Sequence, residues 1–147
     1  MALRSERLRV VLQLEQRREQ EAQELLTQRR GSLQRQQQRL DELEQYQADY
    51  RNQVRQGQQG TVDVRSLQGW QAFIAQLEQA IQQQRQLVQG ASEQLESARR
   101  AWQQAYERRR GMERFIETCK QQEQRARDLA EQKQMDEASA RQHGRRR

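Results

Sequence analysis

The side chains able to do covalent, redox or proton-transfer chemistry are few, and their spacing assembles none of it. Cys119 is the lone cysteine and His143 the lone histidine. A zinc site takes several such ligands, and a nucleophile needs a base held beside it, so this pair supports neither. Carboxylates adjoin at Asp41 and Glu42 and at Asp136 and Glu137, but neighbours in a polar stretch have no cleft to shift their acidity. No Gly-rich phosphate loop follows a strand pattern. The chain is therefore read as a non-enzyme without cofactor or metal. What remains distinctive is aromatic, namely Tyr46, Tyr50, Trp70 and Phe73, and the chemistry of such residues is contact.

The elements that position them follow from periodicity. From Leu67 through Trp70, Ile74, Leu77, Ile81, Gln84, Val88, Ala91, Leu95, Ala98, Trp102, Ala105, Arg109, Met112, Ile116, Cys119, Glu123, Ala126 and Ala130 to Lys133, one alternation of three- and four-residue steps runs unbroken. Its mean of ~3.5 residues keeps one seam of a helix towards a partner helix. Leu8, Leu12, Leu26, Leu33, Leu40, Leu43, Tyr50 and Val54 follow the same register upstream. Between the two runs lies Gln56-Gly57-Gln58-Gln59-Gly60-Thr61. Two long helices joined by one short loop predict an all-α fold, a long antiparallel two-helix coiled coil, with no pocket.

Composition agrees with a narrow seam. Of 147 residues, 33% are apolar and 33% charged, with no proline and a mean hydropathy of −1.36. Globular domains hold ~45–50% apolar residues, too many for this chain and more than a two-position seam needs. A disordered chain could be as polar but would not keep apolar residues in phase. No run approaches the ~20 apolar residues that span a bilayer, and Met1-Ala2-Leu3-Arg4 leads into charge, so the expected location is cytoplasmic or peripheral on the inner membrane face. Cys119 sits on the seam, where a thiol acts as a small hydrophobe. The net charge is +6, but Arg141, Arg145, Arg146 and Arg147 carry four of those charges, leaving +2 on the body. That argues against nucleic acid as a partner; the arginine tail reads either as a solubilising end or as a contact for acidic surfaces.

The predicted organisation is a single hairpin. Arm one covers about 4–56 with Ser5 as its cap, the turn about 57–62, arm two about 63–139 with Thr61 or Asp63 as cap, and a basic tail 140–147. With the turn centred near residue 60, Leu8 should lie near Met112, and everything from about Glu117 onward should overhang as a single helix. Gly31, Gly69, Gly90 and Gly111 interrupt helical sequence, reading as local softness or as compliance. Gln36, Gln84, Glu15, Glu19 and Arg109 place polar groups on the seam, where they weaken packing and fix register.

The flanks beside the seam differ. One, with Arg9, Gln16, Arg30, Glu44, Glu78, Arg85 and Arg99, is almost wholly polar; the other carries Val11, Leu25, Tyr46, Phe73, Ala80, Leu87 and Phe115. Tyr46 and Phe73 should face one another outside the seam, with Leu43, Tyr50, Leu77 and Ala80 close by. A two-helix hairpin cannot bury residues there, so a contiguous apolar and aromatic patch is expected near the turn. It reads either as a partner site or as a surface that pairs with another copy.

Three segments carry a resemblance. Tyr46-Gln47-Ala48-Asp49-Tyr50-Arg51, Trp70-Gln71-Ala72-Phe73-Ile74-Ala75-Gln76-Leu77-Glu78-Gln79-Ala80-Ile81 and Gln132-Lys133-Gln134-Met135-Asp136-Glu137 resemble the FliJ family of flagellar type III export proteins, over nearly the whole chain. The resemblance implies a coiled coil similar to the central stalk of rotary ATPases. It implies a cytoplasmic component of the flagellar base that sits in the hexameric ring of the export ATPase FliI, favours its assembly, contacts the export gate protein FlhA and handles export chaperones. On this chain the gate-facing cluster would be Leu43, Tyr46, Tyr50, Phe73, Leu77 and Ala80. By analogy with rotary stalks, the end with both termini would enter the ring. The rival readings are the stalk of a virulence injectisome, a basic coiled coil on nucleic acid, and a self-associating structural rod.

Overall fold

A computed structural model of the chain describes residues 2–57 and 63–145. Two helices account for nearly all of them: α1, Arg4–Gly57, and α2, Val64–Arg145. Among the described residues no strand occurs and only Ala2, Leu3 and Asp63 lie outside the helices. The helices pack against each other as an antiparallel α-helical hairpin, as the seam predicts. The expected turn falls on residues 57–62; Gly57 closes α1, and the rest of that stretch lies outside the described residues.

The helix ends show what the local chemistry chose. Leu3 precedes α1, its carbonyl accepting from the Arg7 amide at 3.1 Å while its own amide donates to Glu6 at 3.3 Å, half of a capping box. Ser5, expected as the cap, is instead inside the helix and buried. Its amide, one of the donors a helix start leaves unpaired, donates to Glu123 of α2 at 3.0 Å, and its hydroxyl donates to the same carboxylate at 2.7 Å. Asp63 stands before α2, its carbonyl accepting from Leu67 at 3.1 Å; Thr61 lies outside the described residues. Helix α2 continues past the expected stop at Ser139 to Arg145. Ala140, Arg141 and Gln142 are helix formers, and His143 and Arg145 place basic groups at the negative end of the helix dipole.

The packing divides into two compact units, one of residues 22–102 and one of residues 1–21 with 103–147. In the unit 22–102, Leu26, Leu40, Leu77, Ile81, Ala91 and Ala98 are buried, all of them at predicted seam positions. Two buried amides, Gln47 and Gln84, interrupt them. Gln84 donates its side-chain amide to the Gln36 carbonyl at 2.9 Å and to the Gln36 side-chain oxygen at 2.7 Å, so a buried amide is satisfied only when these two residues are level.

The unit containing the termini is held differently. Ile116 and Cys119 supply its buried apolar side chains. Beside them Arg109 donates to Glu19 across the hairpin and to Glu113 one turn on at 2.7 Å, with the guanidinium also 5.2 Å from the Tyr106 ring centre. Glu15 is buried, with one oxygen accepting from Arg18 at 3.2 Å and the other without a protein hydrogen bond. Glu19 thus meets Arg109 and Ser5 meets Glu123, about one heptad further along α2 than a turn centred at residue 60 implies. The seam therefore stays covered through Cys119 and Glu123, and the exposed stretch of α2 begins at Gln124 rather than Glu117. From there to Arg145 every residue is exposed, Ala126, Ala130 and Lys133 of the seam included.

Candidate partner-binding surface

The aromatic cluster belongs to the unit 22–102. Tyr46 and Tyr50 are four apart on α1 and so project from one side of it, while Phe73 projects from α2 towards both. The Phe73 ring centre lies 4.6 Å from that of Tyr50 at an interplanar angle of 61° and 6.3 Å from that of Tyr46 at 82°. Both are edge-to-face contacts, a geometry worth about 0.5–1.5 kcal/mol per pair beyond simple burial. Tyr46 nonetheless remains 53% exposed, and Phe73 and Tyr50 are half-buried.

The six residues selected from the sequence therefore play unequal parts. Tyr46, Tyr50 and Phe73 form the cluster. Leu77, 8% exposed, is a core residue that underlies the surface rather than offering it. Leu43 and Ala80 are half-buried and line an open furrow of about 380 Å³ with Gln36, Arg39, Gln84 and Leu87. Leu87 is 56% exposed and extends the apolar shoulder beyond the six; its signal was its place one heptad after Ala80 on the apolar flank. A second open furrow, about 650 Å³ and lined by Leu33, Val88 and Leu95 among Arg30, Gln37 and Asp41, lies between the helices in the same unit. Both are open furrows between the helices, not enclosed pockets.

The electrostatics beside the cluster are tied to its geometry. Glu78 accepts from the Gln47 side chain across the hairpin at 2.9 Å and from Gln82 at 3.3 Å. The Gln47 bond, then the Gln82 bond, hold the Glu78 carboxyl below its ordinary range against the opposing effect of desolvation, with Arg85 and Arg51 adding to the pull. The carboxylate stays charged and fixes the level of α1 against α2 next to the aromatics. Among the described residues no group of three His, Cys, Asp or Glu side chains is placed to hold a metal ion, and no helix is long and apolar enough to cross a membrane.

The sequence of this hairpin matches a known family. The family model described as the flagellar FliJ protein matches residues 4–147. No curated protein and no solved structure matches the chain. The match spans both helices and essentially all of the sequence, so this chain belongs to the FliJ family and is a component of the flagellar protein export apparatus.

Proposed function

We propose that the chain acts as a stalk-like cytoplasmic element at the flagellar base, sitting in the ring of the export ATPase FliI, favouring assembly of its hexamer, and linking it to the export gate protein FlhA. The observation that carries the reading is the aromatic cluster of Tyr46, Tyr50 and Phe73, packed edge to face yet open to solvent. Rigid aromatics held by neighbours lose little entropy on docking, and such side chains dominate binding energy at protein interfaces. In this reading Leu43, Ala80 and Leu87 extend the gate-binding surface and Leu77 supports it from beneath. A slender element that is not itself symmetric touches like subunits of a ring unequally, and so biases the order in which they close. Handling of export chaperones, association with the cytoplasmic face of the membrane and a requirement for motility belong to the same proposal.

Two measurements test it. ATP hydrolysis and hexamer formation by the cognate ATPase should both rise when the chain is added; no change in either removes the ring role. Deletion of the gene should abolish swimming and leave non-flagellar type III secretion intact, whereas the reverse pattern would assign the chain to an injectisome.

A further inference from the structure

The unit containing the termini closes on few apolar side chains and on two carboxylates. Among its described residues Ile116 and Cys119 are the buried apolar ones, against six in the unit 22–102; Leu8, Leu12, Ala105 and Met112 are half-buried. Both oxygens of Glu19 accept across the hairpin, one from Nε of Arg109 and the other from Nη2 at 3.4 Å. Both oxygens of Glu123 also accept across it, from the Ser5 amide at 3.0 Å and the Ser5 hydroxyl at 2.7 Å. The Glu19 and Arg109 side chains are largely shielded from solvent, where a charge-assisted bond is strong and the loss of one partner is costly.

The charged groups beside these carboxylates are not ties between the arms. At Glu19, α2 presents Arg109 and Glu113, which share one guanidinium, and α1 presents Glu15 and Arg18, bonded to each other at 3.2 Å along their own helix. At Glu123 the charged neighbours are Lys120 and Arg127 of α2 itself, and α1 presents Ser5. A proton on Glu19 therefore cancels the anion that Arg109 reaches across the hairpin, and a proton on Glu123 removes one of the two acceptors that Ser5 uses. In the unit 22–102 the same acid reaches Glu44, paired with Arg85 at 3.4 Å, and Glu78, paired with Gln47. It leaves the buried apolar side chains and the Gln36–Gln84 amides untouched.

We propose that this unit is a latch that opens on its own: the stretch of α1 from Ser5 to Glu19 and the stretch of α2 from Arg109 to Glu123 separate in one cooperative step, released when Glu19 and Glu123 lose their charge, while residues 22–102 stay zipped. Local opening of this kind follows the least apolar part of a structure. It goes beyond the stalk reading and holds whichever partners the chain meets. Because Ser5 holds the Glu123 carboxyl below its ordinary range, that tie is complete above the ordinary carboxylate range and is lost as pH falls through the lowered value. Opening uncovers Ile116 and Cys119, so the thiol reports it.

The test labels the full-length chain with dithiodipyridine, which reacts with thiols in mild acid. Cys119 is the lone cysteine and is 4% exposed, so the signal has one source. Dividing the rate at each pH by that of the urea-unfolded chain removes the thiol's own pH dependence, and hydrogen exchange at the amides flanking Ile81 follows the other unit in parallel. In wild type the relative rate should rise by about tenfold or more as pH falls through the carboxylate range, with the Ile81 region still protected. Glu19→Gln with Glu123→Gln should show the raised rate already at neutral pH. Glu131→Gln with Asp136→Asn, on the exposed end of α2, should label like wild type. A relative rate that ignores pH, or a Glu19→Gln, Glu123→Gln chain that labels like wild type, overturns the latch. So does loss of protection at Ile81 in the same step as exposure of Cys119, and an equal rise in the Glu131→Gln, Asp136→Asn chain overturns the role of the two carboxylates.

Discussion

The two units solve the same problem of joining two helices in different ways. In residues 22–102 the helices meet through aliphatic side chains with Ile81 only 1% exposed, and polar groups enter the seam as two hydrogen-bonded layers, Gln36 with Gln84 and Gln47 with Glu78. In the unit with the termini, Ile116 and Cys119 share the seam with Glu15, Glu19, Arg109 and Glu123. Apolar packing is non-directional and tolerates small slips, whereas a charged pair must be level and hydrogen-bonded to offset its desolvation. The contrast teaches that both units fix register with polar groups, one among several buried aliphatic side chains and the other with charged pairs and few buried apolar ones.

Substitutions should separate these two strategies. The largest effect is expected at Ile81, where Ile81→Ala removes a fully packed side chain and should lower stability by about 3 kcal/mol, read as a shifted midpoint in urea. Acid acts on the other unit. The Ser5 hydroxyl, and after it the Ser5 amide, hold the Glu123 carboxyl below its ordinary range. The folded state therefore binds fewer protons than the unfolded chain through that window, so this contribution is complete above the ordinary carboxylate range and is lost as pH falls through the lowered value. Hydrogen exchange should show the Ser5 amide losing protection on acidification, and Glu123→Gln should weaken that protection already at neutral pH. A pH-independent Ser5 amide would contradict the shared cap.

A smaller change of opposite sign is expected at Glu15, whose buried carboxylate has one oxygen without a protein hydrogen bond. Glu15→Met should raise stability by about 1 kcal/mol, in contrast to the loss at Ile81, as measured by thermal unfolding. The smallest effect tests whether the glycines matter for stability or for compliance. At Gly90 and Gly111 an added Cβ meets nothing within 4 Å and the backbone is ordinary helix. Alanine at either should gain about 0.5–1 kcal/mol equally in both units; a gain in stability with a fall in ATPase stimulation would show that softness serves the stalk.

How much of this was legible in the sequence follows the same division. Periodicity marks which face of a helix is covered, and every position from Leu67 to Glu123 that it selects is buried or half-buried. Off-seam spacing likewise puts Tyr46 and Phe73 in one place, because the pairing there and at Gln36 with Gln84 follows a turn centred near residue 60. Periodicity carries no information on which seam residue of one helix meets which of the other. The Ser5–Glu123 cap, and with it the point where α2 begins to stand alone, depends on that pairing and was misplaced by about one heptad. Helix α2 outlasted its predicted end for a related reason, since basic residues that read as a frayed tail are also favourable at a helix C-terminus.

The central claim is the proposal that the aromatic cluster is the gate-binding surface, and one experiment addresses it directly. Full-length chain carrying Tyr46→Ala with Phe73→Ala should be measured in parallel for binding to the purified cytoplasmic part of the gate protein and for stimulation of the export ATPase. The account predicts gate binding reduced at least about tenfold with ATPase stimulation and helical content as in wild type. Undiminished gate binding, or loss of both activities in a fully helical protein, would contradict it.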